Sequence, residues 1–110
     1  GFTILLANDK KLRGLNRDFR GFDKATNVLS FPGADGYAGD IAIAYGVAAK
    51  EAKAAAKSIA DHAAHLVVHG VLHLAGYDHE RPKDALVMEP LEVKILKRLG
   101  IADPYALAAR

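Results

Sequence analysis

The stretch HLVVHGVLHLAG, His65 to Gly76, is apolar on nearly every side of a helical wheel and is broken only by histidines and glycines. Such a helix is stable only where it is covered all round, so the segment from about His62 to Ala75 is expected at the centre of the fold. Gly76 stands where a left-handed residue closes a helix. The run is far short of the roughly 20 residues needed to span a bilayer, and FTILLANDKK at the start lacks the basic lead-in and cleavage site of a signal peptide. With 110 residues, 51% of them hydrophobic, the chain reads as one domain, 1–110, with one core and no membrane segment.

The rest of the chain supplies what covers that helix. Phe2–Ala7, Asn27–Phe31 and Asp40–Tyr45 are short apolar, partly β-branched runs ended by turn residues, and they read as strands, the first of them buried. LRGLNRDFRGFD, between the first two, fits one or two helical turns around Leu12, Leu15 and Phe19. VAAKEAKAAAKSIA has the composition of a continuous helix, with Glu51 early in it. Asp61 is suited to cap the next helix, and Lys83 to Leu99 is a last helical pattern in which Pro90 predicts a kink or a fresh start. The expected class is α+β, a small mixed sheet packed with helices around the histidine helix.

All five histidines fall between His62 and His79. At about 100° per residue His62, His65, His69 and His73 fan across one stripe. Residues four apart are neighbours, so His69 and His73 can share one metal, and so can His65 and His69. Residues eight apart are separated by about 12 Å along the axis, so three of these on a straight helix cannot reach one ion. His79 can supply a third ligand if Gly76 turns the chain back. A single helical histidine is ordinarily a satisfied core residue, and His62 and His65 are read that way. There is no cysteine, so a thiolate site is excluded and three neutral nitrogens would leave a zinc ion with an open position. Open coordination suits catalysis, because zinc lowers the pKa of bound water to about 7.

In zinc peptidases with this spacing the residue after the first histidine is the glutamate that activates water. Here it is Gly70, which turns the reading toward phosphoryl chemistry, where neutralising charge around phosphorus by the metal and an arginine matters most. Asp78 is read as orienting a histidine, and Glu80 is left open between base and bystander. Between Asp9 and Lys24 six cations stand against three aspartates, a segment suited equally to a solvated surface and to facing phosphate. The overall net charge of +2 says little about partners.

HGVLHLAGYDH, together with LNRDFRGFDKAT, TNVLSFP and GDIAIA in that order, resembles the YbeY family of bacterial metal-dependent endoribonucleases. The resemblance runs from about Phe2 to Tyr105 and includes Met88, Glu89, Glu92, Ile95, Leu96, Leu99 and Gly100. It implies one zinc ion held by His69, His73 and His79, with Arg20 as the functional partner of the metal; the bland alternative for Arg20 is a surface ion pair with Asp18 or Asp23. It also implies a cytoplasmic, single-strand-specific ribonuclease acting in maturation of the 16S rRNA 3′ end and in ribosome quality control. The partners would be ribosomal RNA, the small ribosomal subunit and ribosome-assembly proteins. Members of the family usually carry a strand and helix before the segment that begins at Gly1, and without them an exposed strand edge would invite self-association. Ser30 and Asp40 are read as structural. The competing readings are a ribosome-assembly binding factor with a structural metal, and a zinc peptidase.

Overall fold

The computed structural model describes residues 1–77 and 81–105. Strand β1 (Phe2–Ala7), helix α1 (Asp9–Arg20), strands β2 (Val28–Pro32) and β3 (Gly39–Ala44), and helices α2 (Tyr45–Ala54), α3 (Ile59–Leu74) and α4 (Pro82–Arg98) follow one another. The sheet has the order β1-β3-β2, with β1 parallel and β2 antiparallel to β3. Register is set by alternation along β3. Ala42 and Ala44 join Leu29 and Leu12 on the α1 side, whereas Ile41 and Ile43 join Leu66 and Ala48 on the α3 side. Beyond α3, Val68 and Leu72 pack on Met88 and Leu96 of α4. The histidine helix is thus covered by the sheet on one side and by α4 on another, as an all-round apolar segment requires.

The α+β class and the three strands agree with the sequence reading; several local expectations are corrected. β1 is a strand but not a buried one: Leu6 is 69% exposed, because β1 sits at the sheet edge while α3 lies over β2 and β3. The first helix is longer than expected, running 12 residues from an Asn8 side chain that accepts from the Lys11 amide at 2.7 Å to a left-handed Gly21. The alanine-rich segment does not continue to Ala60. It stops at Ala54, and the Ala56 amide donates to the Lys53 carbonyl while that of Lys57 donates to Ala52, with Ala56 itself left-handed at φ 55°. Ser58, rather than Asp61, then caps α3, accepting from the Asp61 amide at 3.0 Å. α4 runs through Pro90 without a fresh start. Pro90 is on the exposed side, so the carbonyl it leaves unbonded, that of Leu86, lies on the outer side where water can reach it. Among the described residues no helix is long and apolar enough to cross a membrane.

Candidate metal centre

The third side of α3 carries the histidines: His62 meets α2, His65 and His69 both meet α4, and His73 meets His69. His62 Nε2 meets Glu51 Oε1 of α2 at 2.8 Å, and the same carboxylate accepts from Asn27 Nδ2 at 3.1 Å, which ties the start of β2 to both helices. His65 Nε2 lies 2.7 Å from Glu92 Oε2 of α4. Each thus makes through Nε2 the hydrogen bond to a neighbour that the sequence suggested, while its buried Nδ1 has no hydrogen-bond partner among the described residues.

Glu92 organises the next turn as well. It is 0% exposed, yet its oxygens receive His65, the Tyr105 hydroxyl at 2.8 Å and His69 Nδ1 at 3.1 Å. Burial opposes the charged form of this carboxyl, but the three donors outweigh it and hold the pKa down to about 2. Tyr105 is pushed the other way, by burial and by donating to Glu92. An ionised Glu92 can only accept, so His69 must carry its proton on Nδ1, leaving the Nε2 lone pair to face outward. That atom faces His73 Nε2 at 3.0 Å, close to the roughly 3.3 Å between two nitrogens of a tetrahedral zinc site with bonds of about 2.0–2.1 Å. A carboxylate on the far nitrogen of a ligating histidine is the usual support of such a site. The donor set therefore fits a divalent ion at His69 and His73. One ligand atom each from His65, His69 and Glu92 also lie within 4.8 Å of one another, a second group able to hold a metal through the inner face of His69. His79, the expected third ligand, and its neighbours Asp78 and Glu80 lie outside the described residues.

His69 and His73 open into a groove of about 460 Å³ whose other wall includes Arg20, Thr26, Asn27 and Ser30. Arg20, at the last position of α1, is thus brought into the cleft that holds the two histidines, although nearly 50 residues separate them in sequence. The expected alternative partners of Arg20 are engaged elsewhere: Asp23 pairs with Arg13 and Asp18 with Arg17, both at 2.9 Å. The basic segment accordingly divides, part of it a solvated ion-paired face and part of it, with Arg20, lining a groove.

Gly70 receives a structural reason. A Cβ there would lie 2.9 Å from Ile41 Cγ2 and 3.1 Å from Ser30 Oγ, and the Ser30 hydroxyl donates to the Gly70 carbonyl at 3.2 Å. The helix approaches the sheet too closely for any side chain at this position, so the peptidase glutamate has no room. Ser30 is structural, as read, and also borders the groove; Asp40 accepts from the Tyr37 hydroxyl. Glu92 and Tyr105 as site residues were missed by the sequence reading. The signal was present for Glu92, a lone carboxylate in the otherwise apolar i, i+4, i+8 stripe Met88, Glu92, Leu96.

Comparison with known proteins gives the family and the fold. The family model described as Endoribonuclease YbeY matches residues 1–100. Endoribonuclease YbeY of Maricaulis maris is 50% identical over 106 residues, covering 94% of this chain and 66% of that protein. The Bordetella avium relative of the same name is 54% identical over 110 residues, covering 96% of this chain and 68% of its own length. The chain thus spans about two thirds of the length of these relatives. Among solved structures, the solution structure of TM1509 from Thermotoga maritima superposes with a TM-score of 0.64 at 27% identity, covering 96% of this chain and 78% of that one. A family model spanning nearly the whole chain, relatives at half identity and a shared fold place this chain in the YbeY endoribonuclease family.

Proposed function

We propose that this chain is a metal-dependent endoribonuclease in which His69, His73 and His79 hold one zinc ion and Arg20 faces it across the groove. The observation that carries the reading is that Arg20 and the two histidines line one cleft while the nearest acidic candidates for Arg20 are paired with other arginines. A divalent ion held there supplies Lewis acidity beside a phosphodiester. The Arg20 guanidinium binds the phosphate oxygens and balances charge that builds as the phosphorus–oxygen bond breaks. Glu92 keeps the His69 proton on Nδ1, so that Nε2 remains a ligand through the reaction. Thr26, Asn27 and Ser30 form the wall against which the RNA lies. Zinc is favoured over magnesium because the donors are imidazole nitrogens.

The family relationship extends the proposal to single-stranded ribosomal RNA as substrate, including the 3′ end of 16S rRNA, to the small ribosomal subunit and assembly proteins as partners, to ribosome quality control, and to the cytoplasm as the site of action. Peptidase chemistry is disfavoured by the filled space at Gly70. The test is metal content together with cleavage of a ribosomal RNA fragment for the parent chain, His73→Ala and Arg20→Ala. Expected are about one zinc per parent chain, loss of both metal and cleavage in His73→Ala, and retained zinc with cleavage reduced about 10²–10³-fold in Arg20→Ala. Chelator-insensitive cleavage, or full activity in Arg20→Ala, would overturn the assignment; zinc binding without cleavage by the parent chain would favour the assembly-factor reading.

A further inference from the structure

Residues 21–27 join α1 to β2 as an ordered loop rather than a loose one. The buried Asn16 donates from Nδ2 to the Lys24 carbonyl at 3.1 Å, the Lys24 amide donates to Phe22 O at 2.9 Å, and Gly21 ends the helix in the left-handed region. This scaffold holds the Phe22 ring outward, 48% exposed. Arg20 Cζ and Lys24 Nζ each lie over the ring, 5.3 Å from its centroid. The ring borders a second groove, about 450 Å³, that also includes Lys24, Arg20, Thr26 and Asn27. The last three also line the groove of His69 and His73, so the two grooves share one wall.

A lone exposed aromatic needs no explanation. An exposed aromatic ring flanked by two exposed cations, one of them the arginine that also lines the groove of His69 and His73, has the composition of a platform for unpaired bases, since a base has a π-face to stack and a backbone to neutralise. We infer that Phe22 stacks the base of the nucleotide next to the phosphate bound at Arg20, while Lys24 swings from the ring to the adjoining phosphate. This rests on the reading of the chain as a ribonuclease and deepens it: only a base free of a duplex offers its face, so the ring makes single-strandedness part of recognition at this loop.

The chain contains no tryptophan, so Phe22→Trp introduces a single indole at the proposed platform. Its fluorescence is followed on titration of the zinc-loaded protein with a 2′-O-methylated oligoadenylate decamer, single-stranded or annealed to its complement. Phe22→Ala and Phe22→Tyr are compared with the parent in steady-state cleavage of an unstructured RNA, with thermal unfolding as the control for folding. Expected are strong quenching by the single strand and little by the duplex, a KM about tenfold higher in Phe22→Ala with kcat little altered, and recovery in Phe22→Tyr. Equal quenching by both forms, or an unchanged KM in Phe22→Ala while the parent cleaves RNA, would overturn the inference and leave the ribonuclease reading standing. If the parent neither binds nor cleaves RNA, the ribonuclease reading fails and this inference falls with it.

Discussion

Adding one methyl group at position 70 sets two opposed effects against each other. Gly70→Ala in the middle of α3 gains about 0.8–1.0 kcal/mol of helix propensity. The new Cβ, however, would stand 2.9 Å from Ile41 Cγ2 and 3.2 Å from its Cδ1, where comfortable carbon contacts are about 3.5–4.0 Å. Ile41 is 0% exposed and β-branched on the central strand, so its methyls cannot swing aside. Relief requires α3 to move off the sheet by about half an ångström, and overpacking of this kind costs about 1–3 kcal/mol. The net expectation is a loss of about 1 kcal/mol, or about 4–8 °C in Tm for a domain near this size. Gly14→Ala is the internal reference: its Cβ meets only Arg17 Nη2, at 3.8 Å, so the same propensity gain should appear there undiminished. The assay is thermal and urea unfolding of the two variants beside the parent. If Gly70→Ala is stabilised as much as Gly14→Ala, the close-approach argument is wrong. Gly70→Glu, which would write the peptidase motif into the sequence, is expected not to fold, since it adds a buried charge to the same overlap.

Ala56→Gly should stabilise the protein by about 1 kcal/mol in urea denaturation, because Ala56 closes α2 in a left-handed conformation that costs a residue with a Cβ about 1–2 kcal/mol. Glu92→Gln should lower stability at pH 7 by about 2–3 kcal/mol and weaken zinc about 10–100-fold in competition with a chromogenic chelator. The same substitution should flatten the acid limb of stability. The folded pKa of Glu92 is depressed from 4.5 to about 2, so its contribution is complete above 4.5 and is lost as pH falls toward 2 in urea melts of the parent. Asp9→Ala should cost about 1 kcal/mol in thermal unfolding, because Asp9 Oδ1 accepts from the Val47 amide in the first turn of α2 at 3.0 Å.

What could be read from the residues is what local periodicity determines. Short apolar runs ended by turn residues placed the three strands within a residue or so, and a spacing of four put His69 beside His73. The end of α2 was hidden because AAKAAAKS satisfies helix propensity throughout; the break is made by a left-handed Ala56, and the Glu51–His62 contact between the two helices depends on tertiary packing. The cap of α3 was expected at Asp61 and lies three residues earlier, at Ser58, because the serine side chain accepts from the Asp61 amide. Burial of β1 was misjudged because composition reports what a strand prefers, whereas strand order decides what covers it. Arg20 reached the site through family resemblance alone, since no spacing rule links the end of α1 to α3. Glu92 escaped because its partners lie 23 and 27 residues away in sequence.

The threefold commitment of α3 bears on how a protein of this kind can change. One helix gives one side to the sheet, one to α4 and one to the groove. A single inserted or deleted residue within it would turn everything beyond by about 100°, moving the histidines into the core and core residues into the groove at one stroke. Length variation is therefore closed to this element. New substrate preferences have to arise in segments that border the groove without building it, above all residues 21–25, where side chains can be exchanged while the ligand-bearing helix stays as it is.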